Sequence, residues 1–144
     1  MMYQPREIVL VVAAVAFSAA VVPLFGHHSP SAEFDSSKAV TIQGAITKLD
    51  WTNPHVWVYM SVKEKDGKVY SWGAELDSPG ALMKSKAKSF DKSYLRVGDI
   101  IKVEGWLAKN GSKRVGAQTL TLPDGRVFDV ADDFSKRGIL LRGK

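Results

Sequence analysis

The chain contains no cysteine among its 144 residues and only three histidines. Without cysteine there is no disulfide scaffold, cysteine-ligated zinc site, iron–sulfur cluster or thiol nucleophile. Proline and glycine, at 6 and 12 residues, are too few for a collagen-like or proline-rich chain. With 45% hydrophobic and 24% charged residues, the composition is that of one globular domain.

The sequence also lacks the common catalytic motifs. No G-x-S-x-G or P-loop segment occurs, and no two carboxylates have a spacing that predicts an acid/base pair. The 20 basic and 15 acidic residues give a net charge of +5, which favours anionic partners in general. The basic run from Lys84 to Lys92 is interleaved with serine and alanine rather than aromatics, which disfavours nucleic acid and favours a solvated or membrane-facing surface. The sequence therefore favours a non-enzymatic binding module.

The N-terminus has the pattern of an export signal. Arg6 precedes an uncharged apolar run from Ile8 through Phe25, and the chain turns polar directly after Gly26. The run is longer than a typical signal core of about 7–15 residues and shorter than a spanning helix of about 20. We expect a signal peptide over 1–26 that is cleaved after Gly26. The alternative is an uncleaved anchor that contacts the membrane through residues 8–25.

After residue 39 the apolar residues alternate with period two, which indicates β-strands. Asp66-Gly67 and Asn110-Gly111 are hairpin turns, and Ser78-Pro79 is a helix start. The predicted strands are 40–49, 56–62, 69–76, 100–107 and 115–122, with a short return strand at 126–128.

Five strands with one short helix between the third and fourth predict an all-β fold, a five-stranded OB-like Greek-key barrel. A small sandwich is the competing architecture. The expected organisation is an extended segment over 27–39, the barrel domain over 40–131 and a basic tail over 132–144. Gly44 and Gly105 interrupt strand patterns, so each should mark a bulge or a close backbone approach, and the first strand should pair with two neighbours.

The histidines are the candidate metal ligands. If cleavage follows Gly26, His27 becomes the first residue, and its amine and imidazole can chelate one metal ion. His55 or His28 would supply a further imidazole, and such nitrogen-rich sites prefer Cu(II) among divalent first-row metals. The alternative is a solvated His27-His28 pair and a loop residue His55 bonded to backbone.

Aromatic residues around His55 give a second candidate site. They belong to the segment Trp51-Thr52-Asn53-Pro54-His55-Val56-Trp57 between the first two strands, and to the strands that follow. Stacked aromatics on a barrel face bind an apolar, sugar-like or protein ligand. The alternative is that these tryptophans are core and Asn53-Pro54 is an ordinary turn. We expect Trp57 or Trp72 to be exposed and Trp106 to be buried. The candidate ligand-binding residues are Trp51, Asn53, Trp57, Tyr59 and Trp72.

These motifs resemble a bacterial family of exported proteins, domain-of-unknown-function family 6152. The resemblance rests on His27-His28-Ser29 after an apolar leader, the segment 51–55, Ser78-Pro79 and the segment 122–126. It implies a bacterial envelope protein with an OB-like barrel, and it implies no activity. The expected protein is a periplasmic binding module, a copper-binding accessory protein, whose partner is an envelope protein or a small ligand.

Overall fold

The computed structural model describes residues 30–84 and 89–131. The predicted leader, His27, His28 and the predicted tail 132–144 lie outside these residues. The described elements are α1 (Pro30–Glu33), β1 (Phe34–Asp50), β2 (Trp57–Lys63), β3 (Val69–Glu75), α2 (Pro79–Lys84), a 3-10 helix (Lys92–Tyr94), β4 (Ile100–Ala108), β5 (Arg114–Thr121) and β6 (Val127–Asp129). The predicted mainly β fold is confirmed, with strand bounds close to those expected, except that β1 begins six residues before Val40.

The six strands form one sheet in the order β3-β2-β1-β4-β5-β6, with antiparallel neighbours. A further, parallel pairing joins β3 to β5, so the sheet closes on itself into a ring. This closing seam is short, since only Gly73–Glu75 of β3 pairs with Arg114–Gly116 of β5. Side chains near the seam therefore come from distant parts of the chain.

The first strand pairs with two neighbours, as the sequence predicts. Residues 34–45 of β1 pair with β4, and residues 45–50 pair with β2. Gly44 lies where the partner changes, and a side chain there would overlap the backbone oxygen of Ser61. Gly105 lies at a register shift between β4 and β5, which is a β-bulge. Both predictions for these glycines are confirmed.

The turns follow the local sequence signals. Gly67 and Gly111 have φ of +81° and +76°, which a side chain would disfavour. Residues equidistant from Asp66 pair across the β2–β3 hairpin, for example Trp57 with Glu75. At α2, the Ser78 hydroxyl accepts a hydrogen bond from the Ala81 amide at 3.3 Å, the predicted N-cap.

Alternate residues of the strands point into the ring and form its core. The buried cluster includes Ile42, Ile46, Val58, Met60, Ala74, Ile101, Val103, Val115, Leu120 and Phe128. Of the two tryptophans named as alternatives for exposure, Trp72 belongs to this cluster and is only 8% exposed, whereas Trp57 is half-buried. The alternation of Trp72 with Ala74 and Leu76 puts it on the core face. Trp106, expected to be buried, is half-buried because it follows the inward-facing Gly105 and points to the other side.

No helix within residues 30–84 and 89–131 has the length and apolar character needed to cross a bilayer.

Candidate functional site

His55 lies in the loop between β1 and β2, just after the cis Asn53-Pro54 peptide bond. Its neighbour Val56 is fully buried, and its backbone amide and carbonyl are hydrogen-bonded to the two residues that follow β3. The Val56 amide donates to the Asp77 carbonyl at 3.3 Å, and the Val56 carbonyl accepts from the Leu76 amide at 2.9 Å. The loop therefore holds the His55 backbone against the C-terminal end of β3.

The imidazole of His55 contacts the side chain of Glu75, the last residue of β3. The distance from Nδ1 to the Glu75 Oε1 atom is 2.5 Å, and the two side chains are 24% and 14% exposed. The other oxygen, Oε2, is inaccessible to solvent and has no hydrogen-bond partner among the described residues. A buried acceptor without a donor is uncommon, because its lost hydration is not replaced.

The pKa of Glu75 depends on burial and on three charged or titratable neighbours. Burial raises the pKa of its carboxyl, and the nearby carboxylate of Glu33 raises it further, whereas His55 and Arg114 lower it. Burial dominates, so the pKa of Glu75 lies above the ordinary glutamate value. Glu33 ends α1 and is distant from Glu75 in sequence, and the fold brings the two carboxylates together.

Arg114 completes this arrangement at the start of β5. Its Nη1 atom lies 3.5 Å from the Glu33 Oε2 atom. The guanidinium carbon is 6.0 Å from the ring centre of Phe34 and 5.8 Å from that of Trp57. We call the set His55, Glu75, Glu33 and Arg114 the His55 site.

Two glycines make room for the aromatic rings beside Arg114. The ring of Phe34 lies against Gly116 of β5, within 2.8 Å of the position that a Cβ would take. The ring of Trp57 lies over Gly73 of β3. Because both glycines lack side chains, the rings pack directly on the strand backbone and wall the His55 site.

A half-buried aromatic pair extends from this wall along β2. The rings of Trp57 and Tyr59 are stacked, with centres 6.2 Å apart and planes at 19°. Lys48 of β1 lies 5.2 Å from the Tyr59 ring centre, so each ring has a cation beside it. We call Trp57 and Tyr59 the aromatic shelf.

The other predicted ligand-binding residues lie elsewhere. Trp51 packs against Phe90, with ring centres 6.0 Å apart, and Asn53 is exposed. Trp72 is in the core, and its indole N–H donates to the Glu64 Oε1 atom at 2.9 Å. The predicted five-residue aromatic site is therefore divided, and only Trp57 and Tyr59 share a face.

Glu75, Glu33 and Arg114 were not selected from the sequence. The position of Glu75 could have been predicted from the hairpin register. Counting outward from the Asp66-Gly67 turn pairs Glu75 with Trp57, and His55 is two residues before Trp57. For Glu33 and Arg114 no local signal existed, because the ring closure between β3 and β5 brings them together. Within the described part of the chain, no group of three or more histidine or acidic side chains has the geometry of a metal site.

A sequence comparison over most of the chain identifies its family. A family sequence model, described as a family of unknown function (DUF6152), matches residues 13–118. The chain belongs to this family. The match covers His27, His28 and all members of the His55 site, and it confirms the resemblance noted from the motifs. No curated protein matches the chain.

Proposed function

We propose that this protein is a small, exported, non-enzymatic metal-binding module of the bacterial periplasm that takes copper. The amine and the imidazole of His27 supply two nitrogen ligands. The imidazole of His55 supplies the third, and the imidazole of His28 is the alternative to His55. The exported location rests on the leader pattern of residues 1–26.

The observation that carries the proposal is the position of Glu33. Its carboxylate is paired with Arg114 and lies near Glu75, which in turn contacts His55. His28 is five positions upstream of Glu33 in the sequence. Five residues of extended chain span at most about 18 Å, at about 3.6 Å per residue. Glu33 is therefore close enough in sequence to the N-terminal histidines for them to reach the His55 site.

The chemistry of the ligand set favours copper. A free N-terminal histidine offers its amine and an imidazole nitrogen to one ion, and a second imidazole gives three nitrogens. Among divalent first-row metals, nitrogen sites of this kind bind Cu(II) most tightly. The ordinary pKa values of an amine, about 7.7–8.0, and of an imidazole, about 6.5, mean that few protons must be displaced near neutral pH.

The test starts with the intact mass of protein recovered from the cell envelope, which identifies the first residue. Cu(II) titration then compares the wild type with His55→Ala and His28→Ala. Thr52→Ala, in the same loop as His55, is the matched control. A second control carries one extra glycine before His27, which keeps every imidazole but moves the free amine.

We expect the glycine extension and His55→Ala each to weaken Cu(II) binding at least tenfold, and Thr52→Ala to leave it unchanged. If His55→Ala binds normally and His28→Ala does not, His28 is the second imidazole. A retained leader, or a wild type that does not bind Cu(II), would overturn the proposal.

We also propose that the closed ring is an OB-type barrel. Five strands close through β3 and β5, a helix lies between β3 and β4, and β6 is a short addition at the edge. In OB folds, the loop between the first two strands belongs to the ligand-binding face. His55 occupies that loop, which agrees with a binding role there.

The aromatic shelf supports a second candidate function, the docking of an apolar, sugar-like or protein ligand. The supporting observation is the stacking of Trp57 on Tyr59 outside the core, with Lys48 beside it. Acrylamide quenching of the wild type and of Trp57→Phe tests it, with Trp72→Phe as the buried control. Loss of quenchable emission in Trp57→Phe alone supports a ligand-accessible shelf. Equal quenching in both variants contradicts it.

A further inference from the structure

Glu75 is an unusual choice for its position. It lies opposite Trp57 in the hairpin register, with its side chain only 14% exposed. One oxygen contacts His55 Nδ1, and the other is inaccessible and without a hydrogen-bond partner in residues 30–84 and 89–131. An apolar residue would fill this space without leaving a buried acceptor unsatisfied, so packing alone does not explain a glutamate here.

The contact joins two parts of the backbone that are both held in place. Glu75 is paired with Trp57 on one side and with Gly116 on the other. His55 precedes Val56, whose amide and carbonyl are both bonded to the chain just after β3. The imidazole therefore has a defined orientation relative to the carboxylate, unlike an exposed ion pair between long side chains.

We infer that Glu75 is the positioning residue for His55, holding the proton on Nδ1 so that Nε2 is the nitrogen that ligates the metal ion. This inference rests on the proposed function and names the ligating atom. A neutral imidazole carries its proton on one nitrogen and a lone pair on the other, so the acceptor at one nitrogen selects the other as ligand.

A carboxylate suits this role better than an amide. An ionised carboxylate only accepts hydrogen bonds, so it is compatible only with a protonated Nδ1. A glutamine at position 75 could instead donate to an unprotonated Nδ1 and stabilise the other tautomer. Glu75→Gln therefore keeps the shape of the side chain and changes only its preference for a proton on Nδ1 of His55.

The experiment measures the His55 tautomer directly in the metal-free protein. Long-range ¹H–¹⁵N correlation spectra of the labelled chain, at a pH where the imidazole is neutral, distinguish protonated Nδ1 from protonated Nε2. The variants are Glu75→Gln and Glu75→Leu. The matched control is Glu104→Gln, whose carboxylate accepts from Thr119 and Lys102 on β5 and β4.

We expect Nδ1 to be protonated in the wild type and in Glu104→Gln, and a mixed or reversed tautomer in both Glu75 variants. Cu(II) affinity should fall 10–100-fold in the Glu75 variants, the usual effect of removing the partner of a ligating histidine. Protonated Nε2 in the wild type would overturn the inference, as would wild-type tautomer and affinity in Glu75→Gln and Glu75→Leu.

The two readouts separate this inference from the proposed function. The tautomer spectra need no metal, so they decide the role of Glu75 even if the protein binds no copper. A wild type that fails to bind Cu(II) but shows Glu75-dependent protonation of Nδ1 overturns the proposed function and supports the action of Glu75 on the ring. If Glu75→Leu does not fold, the wild-type and Glu75→Gln spectra give the same decision.

Discussion

Two glutamates near the closing seam of the ring have opposite environments. At the His55 site, Glu75 has one close donor and a buried oxygen without a partner. Glu64, which follows β2, instead accepts hydrogen bonds from the Lys113 ammonium at 2.5 Å and from the Trp72 indole N–H at 2.9 Å. Lys113 also lies 4.0 Å from the ring centre of Tyr70. We call Glu64, Lys113, Trp72 and Tyr70 the Lys113 clasp.

The difference starts from two consecutive cations. Lys113 lies in the bend just before β5, and Arg114 is the first residue of β5. Lys113 joins Glu64 and Trp72, whereas Arg114 joins Glu33 between two aromatic rings. Lys113 is therefore paired with Glu64, and Arg114 with Glu33.

The pKa directions show what each arrangement favours. The Lys113 hydrogen bond lowers the pKa of Glu64, with a smaller contribution from Trp72, so the clasp stabilises a charged carboxylate. Burial raises the pKa of Glu75 in spite of His55. The clasp is a charged pair whose carboxylate is hydrogen-bonded. The buried Oε2 atom of Glu75 instead has no partner among the described residues, which is typical of a place where a ligand or metal completes the contacts.

The largest effect should come from displacing the Phe34 ring, which walls the His55 site, from the backbone of β5. Gly116→Val should cost about 1–3 kcal/mol of unfolding free energy, because the new side chain would overlap the buried ring of Phe34. Urea denaturation measures the loss. Gly80→Ala in α2, where no atom lies within 4 Å of the new Cβ, should not lower the unfolding free energy.

In Gly116→Val, the Lys113 clasp should remain intact, because neither Phe34 nor Gly116 belongs to it. The near-ultraviolet signal of Trp72 should therefore persist in folded Gly116→Val. Its disappearance would show that the two regions are not independent.

An intermediate effect of opposite sign is expected at Glu75. Replacing both partners, in the double variant His55→Leu/Glu75→Leu, should raise the unfolding free energy by about 1 kcal/mol, because it removes a buried acceptor that lacks a donor without leaving the His55 Nδ1 unpaired. Thermal and urea unfolding of the metal-free protein measure the change. A loss of similar size would mean that the His55 contact is a stabilising pair like the clasp.

The smallest effect concerns the pH dependence of the clasp. Because its folded pKa is lowered, Glu64 contributes stability that is present above the ordinary glutamate pKa of 4.5 and lost as the pH falls through the folded value. Glu64→Gln should therefore lower Tm at pH 6–7 by less than Gly116→Val does, and the difference from wild type should shrink at lower pH. Lys113→Met should behave alike, and a pH-independent difference would show that charge is not the cause.

Much of the fold follows from local patterns. The period-two alternation predicted the strands from β2 to β5 within one or two residues, and Gly67 and Gly111 marked two turns because glycine tolerates positive φ. Gly44 and Gly105 marked the close approaches. The early start of β1 was missed because residues 34–39 are mostly polar and exposed, so they show no alternation.

The candidate site was only partly predictable. His55 stood out as one of three histidines, and Trp57 and Tyr59 as aromatics on one strand face. Trp72 was misassigned although its alternation with Ala74 already put it on the core face. The alternation alone would have assigned Trp72 to the core, and it was given less weight than the expectation of an aromatic ligand surface.

The sequence by itself determined the strand pattern, the turns, the hairpin register around Asp66 and the family. Each depends on neighbours along the chain, where alternation and backbone freedom act directly. Only the tertiary structure decided that Glu33 and Arg114 meet beside Glu75. Those residues come together where β3 pairs with β5, and such long-range pairing depends on the closure of the whole ring. The raised pKa of Glu75 has the same origin, since burial is a property of the packed ring and not of any segment.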